Sequence, residues 1–197
     1  DTANEVYRLY ELDGSYTEFD DFTGMFRRQV DAAGNRVEVK AMHANGLNFT
    51  EVERVYTAGG DTTTEQFYYE YDDVFADVLL MRVTLRRNVN GGNWTDVARA
   101  MYTYYAQGDP HGGESDLKTV TTQVWDGSQW QDTGTTLYRY YKQLPVSSSS
   151  SSSSTSGTAE DTPTVHLLKY VVNPESYERL TADPDVCMCG DFDNDND

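Results

Sequence analysis

Three carboxylates stand at alternate positions near the end of the sequence: Asp191, Asp193 and Asp195, in Gly190-Asp191-Phe192-Asp193-Asn194-Asp195-Asn196-Asp197. They have the spacing of positions 1, 3 and 5 of a calcium loop, where oxygen ligands converge on a hard cation. Calcium is therefore the cofactor to expect, with a solvated acidic tail as the plain alternative. Asn196 occupies the place of the usual loop glycine, and no acid follows at position 12.

Cys187 and Cys189 are the only cysteines. A bridge between residues two apart is strained by the Cβ geometry a disulfide requires. Two thiolates are too few for a structural zinc site unless a second chain contributes. An intermolecular disulfide in an extracellular setting is their best functional use, against a free or incidental pair. His43, His111 and His166 are isolated from one another in sequence. No Gly-x-Ser-x-Gly elbow, His-Glu-x-x-His pair, Cys-His arrangement or phosphate-binding glycine loop occurs. Paired carboxylates for a secreted hydrolase are available among 33 acids, but that abundance singles out none. The chain is not expected to be an enzyme.

Aromatic residues make up 13% of the sequence, with 15 Tyr, 7 Phe and 3 Trp. Sugars stack on aromatic faces, so Trp94, Trp125 and Trp130 are candidates for a carbohydrate site, although packing claims most such rings. Acids exceed bases 33 to 15, for a formal net charge of −18, which argues against nucleic acid or an anionic membrane as partner. No apolar run approaches the ~20 residues needed to insert into a membrane as a helix. Asn48-Phe49-Thr50 and Asn93-Trp94-Thr95 fit the N-glycosylation acceptor. Eight consecutive serines (Ser147, Ser148, Ser149, Ser150, Ser151, Ser152, Ser153 and Ser154) read as a flexible linker, with O-glycosylation of a mucin-like stalk as the functional alternative.

These residues need elements to carry them. Short aromatic and β-branched runs recur at roughly ten-residue intervals, separated by Gly, Asp and Asn. The runs predict strands at Glu5–Tyr10, Tyr16–Asp20, Met25–Val30, Arg36–Met42, Gln66–Tyr71, Val78–Asn88 and Trp94–Tyr105. Turns fall at Asp13-Gly14, Phe22-Thr23-Gly24, Ala32-Ala33-Gly34-Asn35, Asn45-Gly46 and Asn90-Gly91-Gly92. No window of a dozen residues carries a helical stripe. The fold expected is all-β: an antiparallel hairpin strip of repeated units, as a sandwich or an open spiral sheet, ending in an irregular acidic tail beyond Pro174.

Two stretches repeat at an offset of 36. Gly91, Trp94, Asp96, Tyr102, Tyr104, Tyr105 and Gln107 match Gly127, Trp130, Asp132, Tyr138, Tyr140, Tyr141 and Gln143. A period of this size marks stacked supersecondary units. The organisation expected is a hairpin domain over 1–145, a Ser/Thr-rich linker over 146–161, a terminal strand segment over 162–181 and an acidic, Cys-containing tail over 182–197. Within the third part, Val165–Val172 alternates so that both faces are mostly apolar. Val165, Leu167, Leu168, Tyr170 and Val172 are thus candidate assembly residues, a strand that pairs with a sheet edge. The linker would let it reach a neighbouring copy, and a return to the chain's own sheet is also allowed.

At the turns a short pattern recurs: an aromatic or β-branched residue, Asp, a few variable residues, then Gly. Phe19-Asp20-Asp21-Phe22-Thr23-Gly24 and Val30-Asp31-Ala32-Ala33-Gly34-Asn35-Arg36-Val37 carry it, and Tyr71-Asp72-Asp73 and Trp125-Asp126-Gly127 carry its first half. Over about residues 5–143 this resembles the YD repeat of RHS-type bacterial extracellular proteins, whose hairpins build a long spiralling antiparallel sheet. The Gly-Asp-x-Asp-x-Asp run of the tail resembles the opening of dockerin-type calcium loops. What the first resemblance implies is a secreted or cell-surface bacterial β-structure without a catalytic site. The function expected is a structural building block of an extracellular fibre, stalk or filament that assembles with copies of itself. The alternative is an extracellular carbohydrate- or protein-binding module.

Overall fold

The computed structural model describes residues 6–72, 78–141 and 166–182. It contains one antiparallel sheet of eleven strands, ordered in space as they are in the chain. The strands are β1 (Val6–Tyr10), β2 (Tyr16–Asp20), β3 (Phe26–Val30), β4 (Arg36–Met42), β5 (Phe49–Ala58) and β6 (Asp61–Asp72). They continue as β7 (Leu79–Val89), β8 (Thr95–Tyr104), β9 (Leu117–Trp125), β10 (Trp130–Tyr141) and β11 (Leu167–Val172), and one helix follows, α1 (Pro174–Ala182). The all-β expectation holds. Of its two forms the sandwich drops out, since the described residues form no second sheet.

The turns work as their residues dictate. Asp13, Asp20, Asp31 and Asp126 each accept a hydrogen bond on Oδ1 from the backbone N–H two residues on, at 2.8–3.2 Å. Each thereby closes an Asx turn before the returning strand. Gly34 follows with φ of 86°, a region that a side chain rarely tolerates. The 36-residue repeat is one up-and-down pair of strands. Trp94 directly precedes β8 and Trp130 opens β10, each after a turn glycine, Gly91 or Gly127, with positive φ.

Contacts divide the chain into two units: residues 1–100 with 123–131, and residues 101–122 with 132–197. In the first, directly opposed residues line up in rows across the strands. Val39, Val52, Phe67 and Leu85 form one apolar row. Among its described residues only Glu18, Glu65 and Asn88 are large side chains classed as buried, and all three are polar. A sheet without a covering layer leaves its apolar side chains half-covered, so cross-strand pairing carries more of its cohesion than a core does. The second unit buries Tyr105 and Leu137, and Arg139 as well.

The segment after β11 corrects the expectation of an irregular chain beyond Pro174. Asn173 caps α1, its Oδ1 accepting the Ser176 N–H at 2.9 Å. Pro174 takes the first helical position, where its missing N–H costs nothing. Glu175 lies in the first turn and Arg179 in the last, each at the end of the helix dipole that favours its charge. The stop signals for the strand are thus also the start signals for a helix.

Candidate functional site

β1 and β11 are the two strands at the ends of the sheet order. Among the described residues neither has a neighbour on its outer side. Such an edge presents a row of unpaired N–H and C=O groups.

β11 holds the predicted assembly residues Leu167, Leu168, Tyr170 and Val172. Val165 lies outside the described residues, as do Ser147 to Ser154, Cys187, Cys189, Asp191, Asp193 and Asp195. The strand pairs antiparallel with β10 of its own chain, matching Leu137 with Val172 and Tyr141 with Leu167. This is the return to the chain's own sheet that the sequence allowed. The pairing is not uniform. Its register slips between Arg139 and Tyr140, where the Tyr140 N–H donates to the His111 carbonyl at 2.9 Å. His166, just before the strand, holds the Asp116 carboxylate at 2.7 Å through Nδ1. Leu167, Leu168 and Val171 remain at least half exposed.

β1 is built into a row of charges that the sequence reading did not single out. Arg8 stands opposite Glu18, Glu18 opposite Arg28, and Arg28 opposite Glu38. Arg8 Nε lies 2.5 Å from Glu18 Oε1, and Arg28 Nε lies 2.7 Å from Glu18 Oε2. Burial alone would raise the Glu18 carboxyl pKa. The hydrogen bonds from Arg28 and Arg8 outweigh it and hold the group below the usual carboxylate range. Tyr16 shares the site, with the Arg8 guanidinium 5.3 Å and that of Arg28 6.0 Å from its ring centroid. On β1, Tyr7 and Leu9 are 66% and 59% exposed. The signal was in the sequence: Arg8, Glu18, Arg28 and Glu38 lie ten residues apart and alternate in sign.

No family model matches this chain, and neither does any curated protein or solved structure. The site must therefore be read from its own geometry.

That geometry bears on the carbohydrate candidates. Arg86 lies over the Trp94 ring at 5.3 Å, and Arg99 lies over the Trp130 ring at 4.3 Å. Trp125 packs against Trp130, with centroids 5.3 Å apart and planes tilted by 60°. On Trp94 and Trp130 one ring face is thus already occupied by a guanidinium, as cation–π pairing favours. The histidines do not converge either: His43 packs on Tyr71, while His166 engages Asp116. Among the described residues no three metal-ligating side chains come together.

Proposed function

We propose that this chain is a structural β-sheet module, a secreted or surface building block that is lengthened through its terminal strands into a larger assembly of copies. The observation that carries this reading is the state of the two outer strands. β1 exposes Tyr7, Leu9 and Tyr10, and β11 exposes Leu167, Leu168, Tyr170 and Val171. Sheet proteins that stay single blunt such edges with charges, prolines or bulges. Here β1 carries one charge, Arg8, and no proline, carboxylate or register shift, while β11 carries Lys169 and one register shift against β10 but no proline or carboxylate. The cross-strand rows point the same way, since a sheet that coheres by strand pairing gains from each added strand.

Sedimentation of the full chain over a range of concentrations tests this. The mean mass should rise with concentration. Leu9→Lys or Val171→Lys, each placing a new charge on an outer strand, should stop the growth while leaving the circular dichroism unchanged. A chain that stays a monomer at every concentration would overturn the reading.

A further inference from the structure

We infer that the outer edge of β1 is an acceptor for a second polypeptide's extended strand that carries a carboxylate opposite Arg8, flanked by apolar residues. This deepens the edge-extension reading above and rests on it only in treating β1 as an open edge.

The argument is the pattern of the charge row. Counted from the inside, Glu38, Arg28, Glu18 and Arg8 alternate in sign without interruption, each directly opposite the next. Every interior member faces opposite charge on both sides. Glu18 is gripped by Arg8 and Arg28, and Arg28 stands between Glu18 and Glu38. At its inner end the row stops at Glu38, which faces Glu53 with Arg36 within 3.7 Å of both carboxylates; at the sheet edge it stops at Arg8. Arg8 has Glu18 on its inner side, and none of the described strands lies on its outer side. Its side chain is 32% exposed. Nε is committed to Glu18 and a further bond goes to Tyr10, but a guanidinium has five N–H donors in a planar fork and accommodates a second carboxylate.

The backbone makes the same demand. Strand addition supplies main-chain hydrogen bonds for affinity, while alternate side chains set specificity. On the face bearing Arg8, the incoming residue that meets the guanidinium should be Glu or Asp. On the other face, the residues meeting Tyr7 and Leu9 should be aromatic or β-branched, covering rings and methyls that are now mostly in water. One segment of the chain itself that meets this description is β2, whose Thr17, Glu18 and Phe19 already pair with β1 from the inside. A strand of that composition is thus the ligand class.

The test uses the full chain and three synthetic peptides copying residues 14–21: the native sequence, the Glu18→Gln version and the Glu18→Lys version. Binding is followed by amide hydrogen exchange and by chemical-shift titration up to millimolar peptide. The native peptide should protect the amides of Val6–Tyr10. It should bind about three- to fivefold more tightly than the Gln peptide, with the Lys peptide weaker still, as expected for one cross-strand ion pair. The preference should shrink with added salt. Equal binding of all three peptides would overturn the inference, as would protection at β11 in place of β1 or the absence of any protection. Because the protein is unaltered, misfolding cannot mimic these results. If the chain enlarges with concentration while the three peptides bind alike, edge extension stands and the carboxylate rule falls. If the chain stays a monomer and the native peptide is still preferred, the reverse holds.

Discussion

Pro174 rests on Gly134: a Cβ placed on this glycine of β10 would lie 2.7 Å from the proline Cβ and 3.0 Å from its Cγ. The start of α1 is seated on the sheet because β10 has no side chain there. Gly134 also has φ of 153°, which side chains rarely adopt. Gly134→Ala should therefore lift the N-terminal turn of α1 and lower stability by about 1–3 kcal/mol, in the range of an overpacked contact. Faster exchange at the Ser176 and Tyr177 amides, with β2 and β3 unchanged, is the expected signature. Identical exchange in the variant would show that α1 is held some other way.

Glu65 makes a second case for charge as the cement of this sheet. It is 1% exposed and lies between Arg54 of β5 and Arg87 of β7, which reach its two oxygens at 2.5 and 2.6 Å. Removing one member of such a group strands the others. Because both arginines are partly solvated, the loss for Glu65→Ala should be about 1–3 kcal/mol, below that of a fully buried pair. Glu65→Gln, which keeps the shape and an acceptor, should lose less. Urea denaturation measures both, and an Ala variant as stable as the parent would contradict the role.

Acid should reach the turns late. Asp13, Asp20, Asp31 and Asp126 all titrate below the usual aspartate range. The leading causes are the Ser15 hydroxyl, the Thr23 N–H, and the side-chain amides of Asn35 and Gln131 respectively. A carboxyl depressed in the folded state contributes stability above its unfolded value, about 3.9, and loses it as pH falls through the folded one. The turns should thus be indifferent between pH 7 and about pH 5 and loosen only below about pH 4. Turn amide shifts followed by NMR check this. Asp31→Asn, which keeps an acceptor but cannot titrate, should remove the acid response of its own turn alone.

How far the sequence exposed this architecture depends on what each residue had to say locally. Tyr16–Asp20 and Arg36–Met42 are bounded as read, because Asp and Gly mark the turns on either side through side-chain chemistry visible in one chain. Phe49–Ala58 escaped notice because Glu51, Glu53 and Arg54 interrupt its apolar positions. Their partners lie on other strands, as in Arg54 with Glu65. Leu117–Trp125 is similar: Thr119, Thr121 and Thr122 bond Thr103, Thr135 and Thr133 across strands. The Asn-Pro-Glu start of α1 was readable, but nine residues are too few to show a stripe. The Arg8 to Glu38 spacing was present as numbers, and only the strand register turns a spacing of ten into a row.

The last prediction concerns the core of the second unit. The Gly112 backbone lies against the ring of Tyr105: a Cβ there would fall 2.1 Å from Cδ2 and 2.6 Å from Cγ. The ring is 4% exposed, its hydroxyl donates to the Tyr138 carbonyl at 2.7 Å, and its own backbone N–H bonds Asp116 at 2.8 Å. Burial pushes the Tyr105 hydroxyl up to about 12, against the opposing influence of Arg139 and with help from Asp109, Tyr140 and Asp116. A tyrosine raised in this way holds its proton in the folded state after the unfolded chain has lost it. Its contribution is therefore complete below about pH 10 and is lost as pH climbs toward the folded value. Ultraviolet titration should show Tyr105 ionising about two units after the ordinary tyrosines, in addition to Tyr71 and Tyr140, which burial also raises. Gly112→Ala cannot keep the ring where it is, so Tyr105 should rejoin the ordinary tyrosines near pH 10. The slip between β10 and β11 should change with it, because the Tyr140 N–H that bonds the His111 carbonyl depends on the same loop. Tyr105→Phe separates the two effects: it keeps the ring and the loop, removes the late titration, and should cost only about 1 kcal/mol for the lost hydrogen bond. If Gly112→Ala leaves a tyrosine titrating near 12, the ring is not held by this loop, and the packing assigned to Gly112 is wrong.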